Sequence, residues 1–392
     1  MVKYTTPCPS FTPGHSWSFQ NNAICGICLG QWLALLWRFG HLIEWFGYWQ
    51  RVLFVSILAV FNSMLALVEV VLHGRAIARQ RIHPRPLFVL GHPRTGTTLL
   101  HSLLALDHEQ FGTCSTFCAG FPSSFLWFER FKWLLAGIIG SKRPMDNMSL
   151  SFDTPQEDEL ATNVLSAGTS PYMPLVFMTG EAAFRPFFSF REAPPRETAR
   201  WTEAFLYLLR KLSLRARGKR LVLKSPVHTA RVDLLLKLFP DAQFIYIHRN
   251  PETVYRSACH MADTTYWHMY LAKPSDQQIH EFILNQFEVL WREYAAARAA
   301  IPKGNLVELS YAELTDDPVA ALGRVYDTLA LDGWQDGVGT GSGGVRARVA
   351  AQVAGLKAYK RNNFEPLPAE LRDMVAQRWS DYTEAWGYRW ES

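Results

Sequence analysis

Cysteine is scarce in this chain, and the six present (Cys8, Cys25, Cys28, Cys114, Cys118 and Cys259) form neither the double pair of a zinc site nor a regular disulfide framework. Cys25 and Cys28 lie within an apolar segment and have no second pair, which assigns them to packing. A strong net charge is missing too, since 40 Lys+Arg against 35 Asp+Glu leave only +5, spread along the chain. That balance excludes the dense basic stripe of a nucleic-acid binder and suits a small anionic ligand or a membrane surface. No basic start runs at once into an apolar core, so the expectation is that there is no signal peptide. The last absence is a lysine. Gly91-His-Pro-Arg-Thr-Gly-Thr-Thr98 has the glycine spacing of a phosphate-binding loop, but Thr97 stands where a nucleoside triphosphatase carries its lysine. Without the side chain that reaches the β- and γ-phosphates, the loop fits a single 5′ anionic group better than ATP or GTP.

What is present around that loop is a strand and a helix. Leu87 to Leu90 are apolar without a break, as expected of a strand buried on both faces of a parallel sheet, and Thr97 onward reads as a helix. Backbone N–H groups and the helix dipole then converge on one point, an anion site to which Arg94 adds charge. An ordinary glycine-containing turn is the plain alternative. Leu221 to Leu223 and Phe244 to Ile247 read as further buried strands, separated by a helix over Thr229 to Phe239, and Leu306 to Leu309 as a short fourth. Helices are expected over Thr198 to Arg217, Ile279 to Ala300, Pro318 to Leu331 and Pro368 to Trp386, with a glycine-rich loop from Gly333 to Gly344. The alternation predicts an α/β fold of P-loop type, three layers with a central parallel sheet flanked by helices and an apolar helical segment in front. Ligands in such sheets bind at the carboxyl ends of the strands.

The N-terminal part divides into an irregular lead-in, 1–23, and an apolar helical segment, 24–80, ahead of a catalytic domain, 81–392. Val52 to Leu72 is long enough to span a bilayer, and Trp32, Trp37, Trp45 and Trp49 cluster as aromatic residues do at a membrane interface. Membrane association through 24–72 is therefore expected, with an interfacial helix followed by a spanning or deeply embedded one. Glu69 and Asn62 keep open a helical hairpin packed on the domain or in a homodimer. Arg75, Arg79, Arg81 and Arg85 would hold the domain on the cytoplasmic side, whereas a Golgi-type arrangement would place it in the lumen, and the sequon Asn147-Met-Ser149 offers a test. Further on, Phe111 to Leu135 is aromatic and irregular, either core or an apolar acceptor pocket. In Asp153-Thr-Pro-Gln-Glu-Asp-Glu159, Thr154 before Pro155 predicts a helix N-cap.

A second anion site completes the pattern. The strand ending at His248 is followed by Arg249, and eight positions on lies Ser257 near a helix start, a guanidinium and a hydroxyl able to share a phosphate. Two anion sites at separate strand ends fit a nucleotide with one group at 5′ and another at 3′. In these residues the chain resembles the sulfotransferases that use 3′-phosphoadenosine-5′-phosphosulfate (PAPS), and more nearly the broad bacterial and eukaryotic branch that includes the tyrosylprotein-type enzymes. Gly91 to Thr98 resembles their 5′-phosphosulfate loop, and Tyr246 to Pro251 with Ser257 resembles their 3′-phosphate motif. Leu221 to His228 resembles the segment in which the family places a catalytic lysine, here Lys224.

The resemblance implies PAPS as cosubstrate, no metal, and in-line transfer of its sulfuryl group to an acceptor hydroxyl. Nucleotide binding would fall to Arg94, Thr95, Gly96, Thr97, Thr98, Arg249 and Ser257. Two departures matter. Pro226 occupies the position where the small cytosolic members keep a catalytic histidine, so the base is sought in Glu157, Glu159 or His228. The family's C-terminal Arg-Lys-Gly segment is absent, and Lys357, Lys360 and Arg361 are the substitutes. Arg94 and Lys224 would stabilise developing charge. The acceptor is expected to be a small-molecule, lipid or glycan alcohol. A nucleotide kinase and a membrane-anchored nucleotide-binding protein without turnover are the alternatives, the first weakened by the missing loop lysine.

Overall fold

The apolar run Leu87–Leu90 forms β1, a strand with every residue buried, and it occupies the centre of a five-stranded sheet. The computed structural model describes residues 8–12, 14, 17–19, 22–135, 143, 145–146, 148–334, 344–356 and 364–390. The other strands are β2 (Phe111–Gly112), β3 (Arg220–Lys224), β4 (Gln243–His248) and β5 (Leu306–Ser310). The order is β2-β3-β1-β4-β5, and every pairing is parallel. Alternate residues face two separate cores. Phe88, Leu90, Phe244 and Tyr246 pack on one side, Leu87, Val89, Ile245 and Ile247 on the other, which is why these strands read as unbroken apolar runs rather than as alternation. β2 is the strand the sequence reading missed, for two residues carry no period.

Connections run from β1 out to β2 and back through β3, then to β4 and β5 on the opposite side. The carboxyl end of β1 is therefore the point where the chain's paths part, the usual position of a ligand crevice. Register sets Val89 beside Lys224, and Leu90 beside Tyr246. The Gly91 loop, Lys224 and Arg249 thus emerge at three adjacent strand ends.

Two helices precede the sheet, α1 (Leu29–Phe39) and α2 (Trp45–Arg79). Trp32 Nε1 donates to Ser56 Oγ at 2.8 Å and the Leu29 N–H to Ser63 Oγ at 2.8 Å, so the two run antiparallel. α2 lies against the body of the protein at three points. Arg51 donates to the carbonyls of Ser18, Trp267 and Tyr270, Asn62 to those of Cys25 and Ile27, and Glu69 pairs with Lys211 and accepts from the Leu126 N–H at 2.8 Å. The aromatic stretch after β2 folds into short helical turns, and its Phe117, Phe125 and Phe128 belong to the core.

The helix α3 (Thr97–Leu104) follows the loop, and α4 is Asp158–Leu165. The N-cap expected at Thr154 is not used: Glu157 precedes the first helical residue, and the Thr154 hydroxyl instead accepts from the Ser151 N–H at 3.0 Å. Beyond them come α5 (Pro195–Arg215), α6 (Pro251–Thr265) and α7 (Asp276–Ala297). The C-terminal helix expected over 368–386 is two, Ala369–Arg378 and Ser380–Trp386.

Candidate active site

The turn after β1 is built where side chains have no room. Gly91 has φ +139°, and a Cβ there would lie 2.5 Å from the Ile247 carbonyl oxygen. Gly96 has φ +101°, and a Cβ would lie 2.5 Å from the Tyr311 ring. Between them Arg94, which has a side chain, is held at φ +75° in the left-handed region. Such a conformation is costly for a non-glycine residue and persists only where surrounding contacts over-determine it. Here they do so: Arg94 Nε donates to Ser257 Oγ at 3.0 Å, its Nη1 donates to Asp146 Oδ2 at 3.0 Å, and its carbonyl accepts from Arg249 Nη1 at 3.0 Å. The loop and the segment starting at Arg249, 155 residues apart, are thereby one unit. Arg249 also lies 4.0 Å over the Tyr311 ring, and its backbone N–H and carbonyl both bond the Tyr382 hydroxyl at 3.0 Å.

A cavity of about 440 Å³ opens on this unit, lined among others by Arg94, Gly96, Thr97, Thr98, Arg249 and Tyr311. Thr95 is buried and turns inward, its hydroxyl donating to the His92 carbonyl at 2.8 Å. Ser257 is buried behind Arg94.

The three consecutive carboxylates at the start of α4 fan out to three different bases on the segment that follows β3. Glu157 Oε1 accepts from Lys224 Nζ at 2.7 Å, Asp158 Oδ2 meets His228 Nε2 at 2.6 Å, and Glu159 takes both Arg231 terminal nitrogens, at 2.6 and 3.0 Å. Their settings differ. The Asp158–His228 and Glu159–Arg231 side chains are 0% exposed, whereas Glu157 keeps 21%. Glu159 has no oxygen to spare, since Ser170 Oγ donates to one at 2.6 Å and Trp201 Nε1 to the other at 3.2 Å. His228 is walled by Phe88, Phe205 and Trp201. Both Glu159 and His228 are thus fully buried, Glu159 with both oxygens paired and His228 bonded through Nε2 to Asp158.

Glu157 is different. Its second oxygen accepts a short hydrogen bond from the Tyr172 hydroxyl, and it lines a second cavity of about 290 Å³ with Tyr172, Leu160, Leu175, Met261, Met269 and Phe282 among the walls. Lys224, 1% exposed, reaches back to Thr98 Oγ1 at 3.3 Å. Thr98, Lys224, Glu157 and Tyr172 thus make one hydrogen-bonded line from the first cavity to the second. Burial alone would raise the Glu157 pKa, but the Lys224 ammonium and the hydrogen bonds from Lys224 and Tyr172 outweigh it and hold the carboxyl below its ordinary range. Burial depresses Lys224, with Glu157 offsetting part of the effect.

Tyr172, Asp158 and Arg231 are the residues of this cluster that sequence reasoning passed over. Arg231 and Asp158 had a signal, the basic spacing Lys224, His228, Arg231 opposite an acidic run. Tyr172 had none, being in an irregular segment. His92 and His101 are buried, and burial takes each down to about 3; His248 stacks on Trp386 at 3.8 Å and is lowered to about 4 for the same reason. Lys357, Lys360 and Arg361 lie outside the described residues, as do Asn147 of the sequon and 335–343 of the glycine-rich loop.

Residues 86–336 match the sequence pattern described as the Sulfotransferase family. The chain is 30% identical over 363 residues to omega-hydroxy-beta-dihydromenaquinone-9 sulfotransferase Stf3 of Mycobacterium bovis and of Mycobacterium tuberculosis, a match spanning 93% of this chain and 90% of the relative. In fold it is similar to the crystal structures of sulfotransferase STF9 from Mycobacterium avium (TM-score 0.64, 19% identity, 96% of this chain and 100% of that one) and STF1 from Mycobacterium tuberculosis (TM-score 0.60, 20% identity, 90% and 91%).

Proposed function

Because the chain belongs to the sulfotransferase family, we propose that it moves the sulfuryl group of PAPS from the first cavity to the hydroxyl of an apolar alcohol held in the second, with Glu157 as the base. The observation that carries this reading is the line Thr98–Lys224–Glu157–Tyr172, which joins the two cavities through one carboxylate. An acceptor oxygen beside Glu157 attacks sulfur, the S–O bond to the 5′-phosphate breaks, and adenosine 3′,5′-bisphosphate departs. The acceptor's proton passes to Glu157.

The first cavity suits such a nucleotide. Arg94 already holds an anion, the Asp146 carboxylate, at 3.0 Å, and the α3 N-terminus with Thr97 and Thr98 faces the same space. In this reading Arg94 and Lys224 stabilise charge on the oxygens around sulfur, while Arg249 and Ser257 hold the 3′-phosphate end. Arg94→Ala is expected to weaken adenosine 3′,5′-bisphosphate binding roughly 10- to 100-fold, the worth of one or two charge-assisted hydrogen bonds, and Ser257→Ala to weaken it less. Calorimetry measures both. Binding of ATP·Mg²⁺ in place of the bisphosphate would overturn the assignment.

A carboxylate with a depressed pKa is a poor base, and the ion pair explains how it becomes a better one. When Lys224 turns to the phosphosulfate oxygens, Glu157 loses the charge that lowers its pKa and keeps the burial that raises it. The acidic limb of the kcat profile, which reports the ternary complex, should therefore lie at higher pH than the limb of kcat/KM for the nucleotide, which reports the free enzyme. Coincident limbs would exclude this exchange.

Apolar walls around a polar end point to an alcohol on a lipid-like molecule, and the relative named for an omega-hydroxy-dihydromenaquinone supports that class. Contact with a membrane belongs to the same reading, because such acceptors reside there.

A further inference from the structure

Helix α2 is inverted with respect to a helix of a water-soluble domain. Arg51, Asn62 and Glu69 are buried and bonded to the protein as described above, alongside Val52, Val55, Ala59 and Leu65, while the opposite side of the helix exposes apolar residues. From Phe46 to Leu72 every residue classed as exposed is apolar: Phe46, Trp49, Leu53, Ile57, Val60, Phe61, Met64, Leu67, Val68, Val70, Val71 and Leu72. Water-facing stripes of this kind are normally polar. The stripe is about 40 Å long at 1.5 Å per residue, far more than a chance apolar spot on a soluble surface.

Three further features say what covers it. Leu29, Leu33 and Trp37 repeat the exposed apolar pattern on the neighbouring α1, and Trp133 and Leu134 extend it beside the turn whose Leu126 is bonded to Glu69. Trp37, Trp45, Trp49 and Trp133 are 91, 50, 53 and 68% exposed, an amphipathic fringe of the sort found at headgroup depth. Arg75, Arg79, Arg81 and Arg85, all exposed, follow the end of the stripe and match anionic headgroups in charge.

We propose that α1 and α2 lie flat in one leaflet of an anionic bilayer, with the exposed stripe among the acyl chains and the opposite face, which carries Arg51, Asn62 and Glu69, held on the body of the protein, so that the protein is embedded in one leaflet without crossing it. A helix attached to the body at Arg51, Asn62 and Glu69 cannot cross the hydrocarbon without breaking those bonds and leaving Arg51 and Glu69 in lipid. The arrangement also serves the acceptor cavity. Asn22, Ala23, Cys25 and Gly26 line it and Asn62 of α2 bonds the Cys25 carbonyl; Met269 lines it and Arg51 bonds the next carbonyl, that of Tyr270. One wall of that cavity therefore hangs on the embedded helix, and a lipid alcohol would enter from the leaflet. Only that route rests on the proposed reaction; lipid binding does not.

The test is sedimentation of the full chain with phosphatidylcholine vesicles, with or without phosphatidylglycerol, alongside the variant Ile57→Glu/Met64→Glu/Val68→Glu. These positions are exposed, so the variant is expected to keep its fold and its affinity for adenosine 3′,5′-bisphosphate, which calorimetry checks independently. Wild type should bind vesicles, more tightly with the anionic lipid, and the variant about tenfold more weakly or not at all. A fluorophore placed singly at Phe46→Cys, Val60→Cys and Leu72→Cys should be quenched by brominated lipid at one shallow depth. A deep Val60 site between two shallow ends would mean a spanning helix and overturn the proposal. Wild type that ignores vesicles overturns it too, and if it self-associates while the triple variant is monomeric, the face belongs to a second copy.

Discussion

Glu157→Gln is expected to bind adenosine 3′,5′-bisphosphate as tightly as wild type and to turn over roughly a hundred- to ten-thousand-fold more slowly, the usual worth of a positioned base. The change leaves the buried Lys224 without its carboxylate, so some loss of stability is expected as well; glutamine keeps the size of the side chain and can still accept the Tyr172 hydrogen bond through its amide oxygen, but it cannot take a proton. The loss should therefore fall on kcat. A stopped assay of radiolabelled sulfate transfer, run with calorimetry on the same protein, separates the two quantities. Near-wild-type turnover would remove Glu157 as the base and with it the reason for joining the two cavities through this residue.

Glu159→Gln should do something else, although only one residue separates the two. Arg231 is 0% exposed and spends both terminal nitrogens on Glu159. Removing one member of a buried pair leaves the other charge unpaired, at a cost of about 3–5 kcal/mol. The denaturant midpoint should drop accordingly, and the fraction that remains folded should turn over normally. A stable but inactive Glu159→Gln protein would reverse the assignment and make Glu159 the base.

The contrast between these neighbours shows where sequence reading reached its limit. The acidic run could be singled out as chemistry-bearing, but three adjacent carboxylates are equivalent in a string of letters. Glu157 is in an extended conformation, φ −71° and ψ 122°, just ahead of the helix, while Asp158 and Glu159 are in the first turn. Successive residues of a helix point about 100° apart, so the three side chains diverge to Lys224, His228 and Arg231. Which one opens onto a cavity depends on where α4 meets β3, a contact between segments 67 residues apart in the case of Glu157 and Lys224. Tyr172 enters the cluster by the same kind of long-range placement.

In α2 the sequence carries a signal beyond its apolar length. Composition and length alone passed the segment as able to cross a membrane. Arg51, Asn62 and Glu69 are spaced 11 and 7 residues apart, close to whole numbers of helical turns, so they share one face of any helix through this region. That spacing marks a docked face, and a periodicity count over polar positions would have found it where a hydropathy average does not.

By itself the sequence determined the strands β1, β3, β4 and β5, their parallel order in an α/β fold, the phosphate-type loop from Gly91 to Thr98, and the recurrence of Arg249 and Ser257. Each is written in neighbouring residues: unbroken apolar runs for strands buried on both faces, the glycine spacing of a tight strand-to-helix turn, and fixed spacings between a strand end and the helix after it. Only the tertiary structure decided that Arg94, Ser257 and Arg249 meet, that Glu157 and not its neighbours opens onto a cavity, and that α2 turns its apolar side outward. Those outcomes depend on desolvation and pairing between distant segments. A buried charge must find a partner, and the three-dimensional packing alone settles which partner is within reach.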